Sequence, residues 1–267
     1  MTGSGDSGSE AISTGVLEAG DTMVQLGSTV YMYCCTDRPL KHSRVHSGGF
    51  LIPGRFSLSA GTNNCGTATK WYRDTFFEEL KAAEDAGGEN AYSAMMKGLE
   101  SIAPGSDGLI TLPYLAGERS PINDPEAKGL ILGLGLRHTR AHIYRSALEG
   151  IAFGIAQNLE IFKAAGVGKL RLLAVGGGTK NPLWMQMISD ITGEDINTMK
   201  VTMGACYGDA LMAGIATGVY EGFESLKKII KPAKTYCPDP EACEAYKPFK
   251  TLFEEAYEAN RGLMHRL

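Results

Sequence analysis

The stretch Val24–Cys35, VQLGSTVYMYCC, is β-branched and aromatic on both sides of Gly27, Ser28 and Thr29. That pattern predicts two strands joined by a tight turn. GGFLIPGRFSLSAG adds short-strand character, so the first sixty residues lean towards β. The periodicity then changes. TATKWYRDTFFEELKAAEDAG spaces Trp71, Phe76 and Leu80 among charges as a helix would, and Asp85, Ala86, Gly87 and Gly88 end it. GLITLPYLAG (108–117) and GLILGLGL (129–136) read as short buried strands. A long amphipathic helix is predicted from Thr139 to about Ala165, with Ile143, Ala147, Ile151 and Ile155 on one stripe. KLRLLAVGGGTKNPLWMQMISDITG is a strand, a glycine turn and a helix, and INTMKVTMGACYGDALMAGIATGVY repeats that order more weakly. The tail, EAYKPFKTLFEEAYEANRGLMHRL, reads as a charged amphipathic helix on the surface. Alternating helices and strands in the second half predict an α/β domain with a mainly parallel or mixed sheet. No low-complexity linker divides residues 1–267, which are taken as one domain with an irregular, β-rich start.

Composition narrows the function classes. Hydrophobic residues make up 43% of the chain and charged residues 21%, the make-up of a soluble globular protein. The net charge of −4 implies no broad basic surface for nucleic acid. Small anions can still be held by local backbone. Six cysteines, Cys34, Cys35, Cys65, Cys206, Cys237 and Cys243, form no CxxC pair and fit free thiols in a reducing cytoplasm. Neither a signal pattern nor an apolar run of membrane-spanning length occurs, so a cytoplasmic protein off the membrane is expected.

Candidate chemistry gathers at small-residue turns. Val175, Gly176, Gly177, Gly178, Thr179, Lys180 and Asn181 take a strand through three glycines into a helix. Free N–H groups and the helix dipole at such a point suit a phosphate or nucleotide, although a plain tight turn has the same letters. The sequence is neither a Walker loop nor a dinucleotide fingerprint, and no ribose-binding acid follows it, which excludes a glycine-rich dehydrogenase. Gly27, Ser28 and Thr29 could hold phosphoryl oxygens or merely turn a hairpin. Gly66, in GTNNCGT ahead of a helix, is a third contact of this kind or an N-terminal cap. Asp6, set among Gly and Ser in GSGDSGSEA, is a turn residue, a helix cap or a catalytic base. His138 and His142 stand at i and i+4 without a metalloprotease Glu, so capping is the preferred reading. Glu118 and Arg119 in LAGERSP read as a buried ion pair fixing a loop in preference to catalysis. No nucleophile elbow occurs.

Several separated motifs carry a resemblance. GLILGLGLRHTRAHIYRSALEG (129–150) is similar to the second signature of the FGGY carbohydrate kinases, including Gly129, Gly133, His142, Ser146 and Glu149. LPYLAGERSP, GGGTKNPLWMQMISD and YGDALMAGIATGV resemble the xylulokinase and ribulokinase branch in the same order. The resemblance implies a ribonuclease H-like domain of the actin and hexokinase type, the second, ATP-holding half of a kinase whose preceding domain supplies the sugar pocket. By position it implies Asp6 as the general base that takes a proton from a sugar hydroxyl attacking the γ-phosphate. It also implies Gly27, Ser28 and Thr29 at the ATP phosphates, with Ser28 where Thr is usual. Gly66 would face phosphates and ribose, and Gly177, Gly178 and Asn181 would lie at the adenosine. Mg²⁺ would bridge the phosphates, held largely by water, ATP and nearby carboxylates rather than by a dedicated protein site. The implied partners are a sugar or polyol, a pentulose such as xylulose or ribulose, and the preceding kinase domain, with a homodimer left open. A non-catalytic actin-like nucleotide-binding or interaction module is the alternative.

Overall fold

The computed structural model describes residues 4–267. The chain opens with helix α1 (Asp6–Thr14), then β1 (Asp21–Leu26), β2 (Val30–Thr36), β3 (His46–Gly49) and β4 (Phe56–Thr62). Helices α2 (Gly66–Phe76), α3 (Glu78–Asp85) and α4 (Ala91–Met95) follow. Next come β5 (Ile110–Leu112), β6 (Leu130–Leu132), α5 (Arg140–Ala164), β7 (Arg171–Val175), α6 (Pro182–Thr192), β8 (Ile196–Met199), α7 (Ala205–Ala216), β9 (Pro232–Tyr236) and α8 (Pro240–Met264).

Seven strands form one mixed sheet in the order β3-β4-β2-β1-β7-β8-β9. β1, β2 and β4 pair antiparallel, while β1, β7 and β8 run parallel. This is the expected ribonuclease H-like α/β architecture, with the β-rich part first. Strand alternation sorts the side chains. Val24, Leu26, Val30, Met32, Cys34, Leu58 and Ala60 face the main core with α5. Met23, Cys35, Leu173 and Val175 face the other way, onto Ala11 and Val16 from and just after α1.

Five local expectations change. The Gly/Ser-rich opening is a helix rather than a turn, because Ala11 and Ile12 are buried and α1 packs closely against α7. A Cβ on Gly208 would come within 1.7 Å of the Ser9 carbonyl oxygen, so only glycine permits this crossing. The helix expected through residue 85 breaks at Phe77, whose buried ring packs edge-on against Tyr144, 5.8 Å between centroids. GLILGLGL is not a buried strand: β6 pairs only with β5, and Leu132, Leu134 and Leu136 are exposed. α5 begins at the Thr139 cap as predicted, yet it is not amphipathic over its middle, where every residue from Tyr144 to Ala156 is buried. The sheet covers one side of it and α2, α6 and α8 cover others. α8 is likewise more than a surface helix, since Tyr246, Phe253, Ala256, Tyr257 and Met264 enter the core.

Burying α5 all round brings two charges inside, and they are neutralised locally. Glu149 Oε1 accepts from Arg145 Nε at 3.0 Å, Gly105 N at 3.1 Å and the Tyr246 hydroxyl at 2.9 Å, and its Oε2 accepts from Ser106 Oγ at 2.7 Å. Arg145 Nη1 also donates to the Leu99 carbonyl at 2.6 Å. One side-chain pair thereby ties α5, α8 and residues 99–106 together. Arg145→Ala would leave Glu149 buried and unpaired, so unfolding in urea should show a loss of about 3–5 kcal/mol. A loss below about 1 kcal/mol would mean that water reaches the pair.

Candidate functional site

Parallel pairing of β1 with β7, with Gln25 opposite Val175, carries both strands to the same end of the sheet. β1 there enters Gly27–Thr29, and β7 enters the glycine turn. The three glycines of that turn do different work. Gly176 has φ +99° and sits where a Cβ would be 2.5 Å from the Leu26 carbonyl oxygen. Gly178 lies where a Cβ would meet Leu26 Cβ at 2.8 Å and the Trp184 ring at 2.9 Å. Among the described residues nothing lies within 4 Å of the Gly177 Cβ position, so its surface is open to a flat ligand.

The first turn of α2 is clamped onto the hairpin turn. Gly66 N–H donates to the Gly27 carbonyl at 2.9 Å, and Cys65 N and Thr67 N donate to the Ser28 carbonyl at 3.2 and 3.1 Å. A Cβ on Gly66 would stand 2.6 Å from the Gly27 oxygen. Gly66 is therefore needed for close packing, and its N–H is already spent. Among the described residues no hydrogen bond occupies the hydroxyl of Ser28, which is exposed, or of Thr29, which is half-buried. Asn181 caps α6, its Oδ1 accepting from Trp184 N at 3.0 Å, while Nδ2 points at Met96 Sδ, 2.9 Å away.

Asp6 is the first residue of α1 and exposed, with Oδ1 accepting from Ser7 N at 2.7 Å. One helical turn on, Glu10 is half-buried. Its carboxylate accepts from Gln25 Nε2, and its Oε1 is 3.3 Å from the Cβ position of Gly204 at the start of α7. Burial raises the Glu10 pKa first, the charge of Asp6 raises it further, and the Gln25 bond opposes both. Glu10 thus ties the helix that bears Asp6 to the end of β1, two residues before Gly27. Only its i+4 spacing from Asp6 marked it in the sequence. Among the described residues no three His, Cys, Asp or Glu side chains gather so as to hold a metal ion.

Glu118 and Arg119 fix a loop, but not as an ion pair. The carboxylate of Glu118 is buried and its Oε1 accepts from Asn63 N at 2.5 Å and from Arg119 N at 2.7 Å. The Arg119 guanidinium instead donates through Nη2 to the Thr62 carbonyl at 3.0 Å. Asn63 and Asn64 complete the clamp by donating to the Ala116 and Gly117 carbonyls at 3.1 and 2.9 Å. The loop after β4, which leads into Gly66, is held from below by these bonds. His142 caps α5 at Thr139 as expected and reaches Asp107 Oδ2 at 3.1 Å. All six cysteines are free thiols. Among the described residues no helix is long and apolar enough to cross a membrane.

Residues 24–217 match the family model described as FGGY family of carbohydrate kinases, C-terminal domain. The chain belongs to this family. It is 26% identical over 264 residues to a xylulose kinase of Bacillus subtilis, a match covering 98% of this chain and 51% of that protein. A gluconokinase of the same organism is 25% identical, with 95% and 50% covered. The crystal structure of xylulose kinase from Rhodospirillum rubrum superimposes with a TM-score of 0.85 at 24% identity, covering 98% of this chain and 52% of that one. This FGGY domain spans about half the length of the curated relatives it matches.

Burial raises the pKa of Glu118 to about 7, against the opposing hydrogen bonds of Asn63, Arg119 and Asn64. A carboxyl raised on folding binds its proton more tightly in the native state, so its contribution is stabilising at low pH and is lost as pH climbs from the unfolded value through about 7. Glu118→Gln keeps an acceptor for both backbone donors and cannot ionise. Thermal denaturation between pH 4.5 and 7.5 should show a smaller decline with rising pH in Glu118→Gln than in the wild type. Parallel curves would place the carboxyl in contact with water.

Proposed function

We propose that this chain is the nucleotide-binding half of an ATP-dependent sugar kinase that phosphorylates a hydroxyl of a pentulose, with xylulose or ribulose as the first substrates to try. One observation carries the reading: in a chain of the FGGY family, Gly27–Thr29, Gly66 and Gly177–Asn181 converge at one end of the sheet beside the helix that starts at Asp6. The open surface at Gly177 and the adjoining Gly178 and Asn181 would receive adenosine. The unoccupied hydroxyls of Ser28 and Thr29 would face phosphoryl oxygens. The clamp between Gly66 and Gly27 keeps that turn rigid, which is where catalysis by positioning is won or lost.

Asp6 has the exposure a general base needs, and it stands at the first turn of α1. In this role its carboxylate accepts the proton of the sugar hydroxyl as that oxygen attacks phosphorus. Mg²⁺ would neutralise charge on the phosphates. Since the described residues offer no closed ligand cage, it would rest mainly on nucleotide and water, with carboxylates at the cleft orienting those waters. The sugar pocket and the other wall of the cleft belong, on this reading, to a preceding domain of the kind that the longer relatives have room for. The chain alone would bind nucleotide weakly and phosphorylate no sugar, because charge stabilisation from one wall is a fraction of that from a closed site.

Two measurements test this reading. Gly177→Val adds a side chain into space that no atom of the described residues fills, so the fold should persist while the heat of MgADP binding in titration calorimetry disappears. Unchanged binding would move the nucleotide elsewhere. In a kinase completed with a sugar-binding domain, Asp6→Asn should lower turnover by about 10²–10⁴-fold with little change in ATP affinity. Retained turnover would leave Asp6 as a helix-start residue.

A further inference from the structure

The nucleotide reading gives the Arg119 guanidinium no role, although its setting is specific. The backbone N–H of Arg119 is pinned by buried Glu118, and Nη2 is held by the Thr62 carbonyl, the last residue of β4. Nη2 lies 3.1 Å from the position a Cβ would take on Gly61, and Tyr31 Cδ2 lies 3.3 Å from the same point. The Val30 carbonyl oxygen is closer still, 2.7 Å from that point, so Gly61 is required by the neighbouring strand and also leaves room for the guanidinium, on the sheet face that carries Tyr31. Register extends the row: Gly61 pairs with Tyr31, Tyr31 pairs with Gln25, and Gln25 bonds Glu10. At about 4.8 Å per strand, Arg119 stands about 10 Å across the sheet from Gln25, on the face onto which α1 packs. This row runs one or two residues below Gly27–Thr29.

Arg119 is exposed, and among the described residues no carboxylate lies within ion-pair distance of it. Tying down the Thr62 carbonyl uses one of its five N–H donors; the others have no protein partner among those residues. A lysine or an asparagine would suffice for that single bond. A planar fork that is always charged, immobilised from both its backbone and its tip, matches phosphoryl oxygens in shape and sign. Its ordering entropy is largely lost before any ligand arrives.

Resting on the nucleotide reading above, we propose that Arg119 binds the terminal phosphoryl group of a nucleoside triphosphate, opposite the carboxylates of Asp6 and Glu10. Diphosphate, which ends one phosphorus short, does not reach it. The guanidinium then distinguishes the loaded from the spent nucleotide and draws negative charge off the group to be transferred.

Calorimetric titration of wild type, Arg119→Ala and Arg119→Lys with MgADP and with the magnesium complex of β,γ-imido-ATP tests this. Melting curves verify that each variant is folded. Arg119→Ala should weaken the triphosphate analogue about tenfold and change MgADP by less than about twofold. Arg119→Lys should recover part of the loss, since it keeps charge without the fork, and it carries the test if the alanine variant does not fold. Equal weakening of both nucleotides, or of neither, would overturn the inference while leaving the nucleotide reading intact. Wild-type chain that binds neither nucleotide would overturn both, and the two failures are told apart because the second appears before any substitution is made.

Discussion

The parallel pairing of β1 with β7 is the constraint on which the rest depends. Once Thr22 to Gln25 lie beside Leu172 to Val175, the turns that follow the two strands must emerge together. Gly176 and Gly178 then become obligatory, because Leu26 occupies the space their side chains would need. Gly177, between them, is left facing outward. An antiparallel partner at this position would have sent the second glycine turn to the far end of the sheet. No cluster of small residues would then have formed.

The platform under those turns is built from buried polar ties rather than apolar packing alone. Glu149 and Arg145 anchor α5 to α8 and to residues 99–106, and Glu118 holds the loop that leads into α2. Each tie has a buried carboxylate meeting several donors at once, which makes its geometry specific and its loss costly. Glu10 plays a lighter version of this part by joining α1 to Gln25. Asp6 on α1 and the Gly27–Thr29 turn after β1 are thereby kept in fixed relation, as the proposed phosphoryl transfer would require.

Much of the frame was legible in the sequence. The hairpin around Gly27–Thr29, the Thr139 helix start and the strand, turn and helix around Gly176–Gly178 are local signals, and local signals survive folding. What escaped was non-local. The stripe of Ile143, Ala147, Ile151 and Ile155 suggests an amphipathic α5, because Arg145 and Glu149 look like solvent-facing charges until Tyr246, 97 residues beyond Glu149, supplies a partner. The break at Phe77 has no proline or glycine and follows from the pocket offered by Tyr144. Adjacent Glu118 and Arg119 suggest one ion pair, whereas strand ends 55 and 57 residues away divide them. Gly66 stands out in the sequence for its neighbours, whereas the engagement of its N–H by the Gly27 carbonyl is a tertiary fact.

On the proposed reading, the end of the sheet assembled by β1 and β7 receives the nucleotide. Amide chemical-shift mapping of the isotopically labelled chain during a MgADP titration tests it most directly. Saturable shifts should concentrate at Gly27–Thr29, Gly66–Thr67 and Gly176–Asn181 and leave β3, β9 and the end of α8 unmoved. Shifts that saturate elsewhere while those turns stay silent would contradict the account.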